Sequence, residues 1–406
     1  MKIIVVGCGL AGATAVRTLR GIDPRAEIDL YGSEPHPYYQ RPRLWEYIAG
    51  KAQDVESLYF RKADWYETKG IRLHLATRVV RIDPDKKSVL FSDGGSDSYD
   101  RLLLATGADS FVPPLRGTNL EGVFALRSMQ DALNITAHAD QVKHVTVIGG
   151  GLLGLETANA LRMRGKQAAV IEFIPRLLPR QLDEEGSYIL KTFIETLGMQ
   201  VITGAETDLI EKEHETLIVR LKDGRSLKTG MVIFSTGIRS RVGLAQDAGL
   251  EVHKGIVVDD HLQTSAADIY AAGDAAQHRG IIYGIIPATM EQAQAATHHM
   301  LEDNATPYTG TIPNTRLKAV GLEIASLGDA VTSDEDVKAV CYENINQNIY
   351  RRINVRNGRV IGAILVGNLS PLQPIRHLID TGTDVNTHLE VMQSADFDFV
   401  KLEPGE

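Results

Sequence analysis

Lys2-Ile3-Ile4-Val5-Val6-Gly7-Cys8-Gly9-Leu10-Ala11-Gly12 opens the chain, and His144-Val145-Thr146-Val147-Ile148-Gly149-Gly150-Gly151-Leu152-Leu153-Gly154 repeats its form in mid-sequence. Each is an apolar strand running into G-x-G-x-x-G and then into a helix rich in small residues, an order that sets a pyrophosphate on a helix N-terminus. Glycine is required for a different reason at each position. Gly7 and Gly149 permit the tight turn out of the strand, Gly9 and Gly151 let the backbone approach the phosphates, and Gly12 and Gly154 let helix and sheet close up. One copy is weak evidence, because glycine turns are common in α/β proteins. Two copies in the same setting predict two dinucleotide sites.

About twenty positions beyond each fingerprint an acidic residue should take the adenosine ribose hydroxyls. Glu34 stands there after the strand Glu27-Ile28-Asp29-Leu30-Tyr31, and Glu172 after Ala168-Ala169-Val170-Ile171. The alternative for both is a carboxylate that caps a strand end. At Glu172 a negative charge repels a 2′-phosphate by about 1–4 kcal/mol, depending on the local dielectric, which favours NADH over NADPH.

Composition agrees. The 406 residues suffice for two or three domains, and 37 glycines suit a chain with many strand-to-helix turns. A net charge of −9 argues against nucleic-acid binding. No apolar run approaches a membrane span and the first strand starts at Lys2, so a cytoplasmic protein without a signal peptide is expected. Of two cysteines, Cys8 sits in the first glycine turn, and Cys341, within Lys338-Ala339-Val340-Cys341-Tyr342, reads as a small buried hydrophobe. No disulfide framework and no metal-ligating set is predicted.

The predicted class is α/β, with two Rossmann-like three-layer domains and a small C-terminal α+β domain. Residues 1–110 form the first half, with a β-ribbon insertion from Ile71 to Phe91 turned at Asp83-Pro84-Asp85, and close on Leu102-Leu103-Leu104-Ala105-Thr106-Gly107. Pro113 and Pro114 mark a linker. Residues 111–240 form the second half, closing on Met231-Val232-Ile233-Phe234-Ser235-Thr236-Gly237. Residues 241–305 return to the first domain through Asp268-Ile269-Tyr270-Ala271-Ala272-Gly273-Asp274 and a helix from about Ala288 to Leu301. In 306–385 the alternation of Ile349 to Val355 and Val360 to Val366 about Asn357-Gly358 predicts a hairpin, followed by a short helix from Leu372 to Ile379. The tail, 386–406, reads as loosely packed or as a segment that docks on a partner.

This ordered set of motifs resembles the two-dinucleotide flavoproteins of the pyridine nucleotide-disulfide oxidoreductase superfamily, over about residues 1–305. The resemblance implies FAD in the first half and a nicotinamide dinucleotide in the second. It places Gly7, Gly9, Leu10, Ala11, Gly12, Glu34, Ala105, Thr106, Gly107, Gly273 and Asp274 in the FAD site, with Asp274 at the ribityl or pyrophosphate region. A G-D pair alone would read as a turn or helix cap. It places Gly149, Gly151, Leu152, Leu153, Gly154, Glu172 and Gly237 in the NAD(H) site. Glu156 matches a glutamate that lies by the nicotinamide in this family; otherwise it is a first-turn anion favoured by the helix dipole.

Members that reduce disulfides carry C-x-x-x-x-C after the first half. This chain instead has His36-Pro37-Tyr38-Tyr39-Gln40-Arg41-Pro42-Arg43-Leu44-Trp45-Glu46, without sulfur, so thiol chemistry is not expected. The form E-P-H-x-x-Y-x-R-P-x-L resembles the electron-transfer branch: reductases of rubredoxin and ferredoxin, and the flavin module of NADH-dependent nitrite reductase. Arg41 and Pro42 thereby join the FAD site, while Glu46 stands where many ferredoxin reductases have lysine. Residues 306–385 resemble the small cap of the same branch.

The activity implied is hydride exchange between NAD(H) and FAD, with single electrons passed to or from an iron-sulfur or rubredoxin-type protein or a metalloenzyme subunit. Such a scheme needs no dedicated acid, base or nucleophile, and no catalytic residue is predicted. Arg41, Arg43 and Lys51 are candidates for docking an acidic partner; they serve equally as partners of FAD phosphates or Glu46. The alternatives are a stand-alone NADH oxidase using dioxygen and an assembly subunit that binds flavin without turnover.

Overall fold

The computed structural model describes residues 1–302, 305–312, 314–332 and 334–402. Two compact units emerge, one of Met1–Tyr47, Ala52–Ser110 and Ile238–Thr311, the other of Ile48–Lys51, Phe111–Gly237 and Ile312–Glu406.

The first unit is built on a five-stranded parallel sheet ordered Ile269–Ala271, Arg101–Leu104, Lys2–Val6, Glu27–Tyr31, Ile71–His74. Its two innermost strands are apolar beyond their first residues because both faces are covered: Ile3, Ile4, Val5, Leu102, Leu103 and Leu104 are fully buried. Helix Leu10–Ile22 turns Ala11, Gly12, Ala15, Val16 and Leu19 inward and packs against helix Ile286–Leu301. The predicted ribbon needs correction at its start. Ile71–His74 is the edge strand of the parallel sheet, paired with Glu27–Tyr31. The inserted antiparallel meander is Val79–Asp83, Ser88–Phe91 and Ser96–Ser98.

In the second unit the parallel sheet is ordered Gln200–Thr203, Gln167–Glu172, His144–Ile148, Met231–Phe234, Val123–Ala125. A meander of Thr207–Glu213, Thr216–Leu221 and Ser226–Thr229 is inserted at the equivalent place. In both sheets the fingerprint strand is central, flanked by the closing strand and by the strand that leads to Glu34 or ends in Glu172. The two differ in who supplies the far edge: Ile269–Ala271 comes late in the chain, whereas Val123–Ala125 comes early.

The same unit holds an antiparallel sheet ordered Asn314–Ala319, Leu322–Gly328, Arg359–Val366, Ile349–Arg356, Lys338–Asn344. Asn357 and Gly358, at φ 48° and 77°, make the tight turn expected of an Asn-Gly hairpin. Helix Leu372–Thr381 lies on one face, burying Leu372, Ile375 and Leu378. The tail is not loosely packed up to Leu402, contrary to expectation. Met392, Phe399 and Leu402 enter the core around Leu378, and the Arg351 guanidinium donates to the carbonyls of Met392 and Ser394 at 2.8 and 2.7 Å. Residues 403–406 lie outside the described residues. Cys341 also departs from its reading, because Lys338–Asn344 is an edge strand whose alternation buries Val340 and exposes Cys341.

Candidate functional site

Both glycine turns are dictated by backbone crowding. At Gly7, φ 117°, an added Cβ would lie 2.0 Å from the Ala105 carbonyl oxygen; at Gly149, φ 119°, it would lie 2.1 Å from that of Ser235. A Cβ on Gly12 would meet the Gly7 carbonyl at 2.0 Å, and one on Gly154 the Gly149 carbonyl at 2.1 Å. The two halves thus reproduce one steric solution. Each turn opens a helix whose first residue is preceded by glycine, Gly9 or Gly151, and neither helix has a side-chain cap. Two other helices are capped, Ser128 with Asp131 forming a capping box and Asp183 accepting from the Gly186 N–H, while Ile286–Leu301 and Leu372–Thr381 are, like the fingerprint helices, without a side-chain cap. The two fingerprint helices therefore keep their first N–H groups available to an anion.

In the first unit, Arg41 reaches over this helix start. Its Nη1 lies 3.0 Å from the position of a Gly9 Cβ, and its buried Nε has no hydrogen-bond partner among the described residues. Nη2 donates to Glu34 at 3.0 Å, and the Tyr39 hydroxyl donates to the same carboxylate at 2.6 Å. Gly273, φ 77°, lies against the start of the helix, an added Cβ meeting that of Ala11 at 3.1 Å, and its N–H donates to Gln292 at 2.9 Å. Asp274 follows in a short 3₁₀ turn, its carbonyl accepting from the Ser240 hydroxyl at 2.5 Å. The Thr106 hydroxyl donates to the Arg241 carbonyl at 3.0 Å, and at Gly107, φ 69°, a Cβ would meet nothing within 4 Å. Leu10 and Ala11 start the helix; Pro42 is exposed in the turn Arg41–Arg43. Glycine turn, Glu34, Arg41 and Gly273 are thus gathered around one helix N-terminus. A guanidinium with an unused buried donor beside uncapped N–H groups fits a pyrophosphate.

In the second unit, Glu172 is 8% exposed and tied to the backbone of its own turn. One carboxylate oxygen accepts from the Gly150 N–H at 2.5 Å and the other from the Ile174 N–H at 2.8 Å. A carboxylate has about four acceptor positions, so capacity remains for ribose hydroxyls. Leu152 is exposed at the helix start and Leu153 half-buried beside it. Gly151 and Gly237 would each direct a Cβ into open space.

Glu156 is placed differently. It is 8% exposed, on the helix Leu152–Met163, and accepts from the Val320 N–H at 3.0 Å. Burial raises its pKa, against the opposing pull of that hydrogen bond and of Lys51 and Lys318. Sequence reasoning missed Val320, as it missed Tyr39, Gln292 and the Gly150 amide. Tyr39 stands in the E-P-H-x-x-Y-x-R-P-x-L form without a role read from it, and the middle glycine of the Gly149-Gly150-Gly151 run was the hint to the Gly150 amide.

The basic candidates are less available than expected. Arg43 makes a two-pronged pair with Glu46 at 2.9 and 2.7 Å, and Arg41 is paired with Glu34. Each arginine is locally neutralised, so neither adds net positive charge to a docking face. Cys8 is half-buried as a residue, yet burial pushes its thiol up to about 12. It stays protonated at neutral pH. Among the described residues no group of His, Cys, Asp and Glu is arranged to hold a metal ion, and no helix is long and apolar enough to cross a membrane.

Over residues 1–299 the sequence matches the pyridine nucleotide-disulphide oxidoreductase family, and over 313–383 the rubredoxin NAD+ reductase C-terminal domain. It is 34% identical over 386 residues to a nitrite reductase, NAD(P)H-dependent by name, of Bacillus subtilis, covering 95% of this chain and 48% of that one. The chain spans about half the length of such nitrite and nitrate reductase relatives. It is 28% identical over 380 residues to the NADH-rubredoxin oxidoreductase of Clostridium acetobutylicum, covering 94% of each. Among solved structures, a ferredoxin reductase of Rhodopseudomonas palustris superposes with a TM-score of 0.89 at 26% identity, covering 99% of this chain and 100% of that one.

Proposed function

The chain belongs to the pyridine nucleotide-disulphide oxidoreductase family, and on that premise we propose that it is an FAD-dependent NADH oxidoreductase that passes single electrons to an iron-sulfur or rubredoxin-type protein. The observation that carries this reading is the pair of uncapped glycine turns, one beneath Arg41 and one beside Glu172, in a chain whose C-terminal part matches a rubredoxin reductase domain. FAD is assigned to residues 1–110 and 241–305, NAD(H) to 111–240, and a partner-facing cap to 306–385.

Arg41 would hold the FAD pyrophosphate against the N-terminus of Leu10–Ile22, and Glu34 the adenosine ribose. Gly273 and Asp274 would line the ribityl chain. Glu172 would take the ribose of NADH, and Glu156 its carboxamide. When bound, FAD supplies the means of taking an electron pair as hydride and releasing electrons singly. The chain itself binds and orients, and its protonated Cys8 is no thiolate relay.

Supporting this are the names of the relatives, which include a rubredoxin reductase of matching length. The experiment is anaerobic reduction of the flavin band by NADH, followed by admission of rubredoxin, ferredoxin or air. Bleaching with fast reoxidation by the iron proteins and slow reoxidation by air is expected. Fast reoxidation by air alone would establish an oxidase instead, and no bleaching would remove NADH as the donor.

A further inference from the structure

Val320 and Gly321 form a two-residue loop between the strands Asn314–Ala319 and Leu322–Gly328, closed by the pair Ala319 and Leu322. Both have positive φ, 55° and 103°. Two-residue hairpin loops of this kind favour Asn-Gly. A valine at the first position is unfavourable, because its β-branched side chain crowds the left-handed backbone. An added Cβ on Gly321 would meet nothing within 4 Å. Glycine there answers to backbone conformation alone, not to packing.

This loop touches Glu156. The Val320 N–H donates to Glu156 Oε1 at 3.0 Å across 164 positions of sequence, and the helix Leu152–Met163 packs on the strand Asn314–Ala319. The amide fixes one oxygen of a carboxylate that is otherwise almost sealed in protein. Oε2 accepts no hydrogen bond from the described residues and is not closed off from solvent. Lys51 and Lys318 are the charged groups acting on it.

We propose that the Val320–Gly321 loop is a positioning element of the nicotinamide site: its amide holds Oε1 of Glu156 so that Oε2 is presented to the carboxamide N–H of NADH. The inference rests on the role proposed above for Glu156 and adds to it a part for the C-terminal sheet. A flexible, buried glutamate has several rotamers, and one hydrogen bond from a rigid hairpin selects among them. The loop keeps an unfavourable residue in a left-handed conformation at the very amide that makes this bond, as functional sites often do.

The test is stopped-flow reduction by NADH under anaerobic conditions, with flavin content, melting temperature and dithionite reduction as controls. Gly321→Ala displaces the amide without a clash and should raise the NADH concentration for half-maximal reduction about tenfold, the loss expected of a misdirected hydrogen bond to a charged group. In a Glu156→Ala background the same change should have less than about a twofold further effect, since nothing is left for the loop to position. Glu156→Gln keeps an oxygen for the Val320 amide and should retain sensitivity to Gly321→Ala. If Gly321→Ala fails to fold, lengthening the loop by one glycine after Gly321 replaces it.

Equal losses from Gly321→Ala with and without Glu156 would overturn the inference while leaving the NADH reading intact. So would a wild-type response in Gly321→Ala. Failure of NADH to reduce the wild-type flavin would remove both.

Discussion

Replacing Glu172 tests two consequences of one buried carboxylate. It accepts from the Gly150 and Ile174 amides at 2.5 and 2.8 Å, and hydrogen bonds to a charged group contribute about 1.5–3 kcal/mol each. Glu172→Ala should therefore cost the second unit about 3–6 kcal/mol. At roughly 2–4 °C per kcal/mol for a unit of this size, the melting temperature falls by about 6–24 °C. Independently, loss of the charge removes the repulsion of a 2′-phosphate, about 1–4 kcal/mol. The ratio of kcat/KM for NADH over NADPH should then fall at least about fivefold. Loosening of the turn raises KM for both nucleotides and cancels in the ratio. Glu172→Gln separates the effects, because it keeps an acceptor for one amide and lacks the charge: its ratio should fall like that of alanine with a smaller loss of stability. The assay is steady-state reduction of an artificial acceptor with either nucleotide, beside thermal unfolding of the same samples. An unchanged ratio in both variants, with flavin retained, would refute the assignment of Glu172 to the ribose.

Three further outcomes are expected. Gly149→Ala drives a Cβ to 2.1 Å from the Ser235 carbonyl, so it should abolish reduction by NADH while FAD stays bound; Gly7→Ala should instead lose FAD, and the two are read by the flavin spectrum and NADH bleaching. Cys8→Ser should leave NADH-driven turnover within about twofold of wild type, because a thiol held near 12 is not ionised at neutral pH; a large loss would show that the sulfur takes part. Burial raises the Glu156 pKa above its ordinary value of 4.5, so its ionisation opposes folding. The stability it retains as the neutral acid is fully present below the unfolded value and is lost as pH rises through the folded one. Glu156→Gln should thus gain stability over wild type as pH climbs from about 4 to 7, and a flat difference in urea melts across that range would contradict the cause given.

What the sequence disclosed depended on how local the cause was. The roles of Gly7, Gly12, Gly149 and Gly154 follow from contacts of a strand with its own turn and were legible from spacing. So was the hairpin at Asn357-Gly358, whose two residues specify their own backbone. Ile71–His74 was not, since a four-residue apolar run fits a ribbon and a sheet edge equally until its neighbour is known. Cys341 was misread because burial on an edge strand follows face, not the apolarity of a run. The partners of Arg41 and Arg43 are side chains seven and three residues away, near in sequence yet resolved only by rotamers. Val320 acts on Glu156 through its amide, which no residue type announces.

The strands Ala108–Ser110 and Ile238–Ser240 pair antiparallel, and just beyond them the Phe111 N–H donates to the Gly237 carbonyl at 2.9 Å. Everything between leaves and returns at one point, like a purse drawn shut at its neck. Such a segment needs no scaffold to bring its ends together, and its parallel sheet is complete once Phe234 has been made. The first sheet, in contrast, waits for Ile269–Ala271. During synthesis the later-encoded fingerprint is therefore expected to find its shape before the earlier one. A chain truncated after Ser240 should show it, with 111–237 resisting protease while 1–110 is cut; the reverse pattern would mean that the first half folds without its last strand.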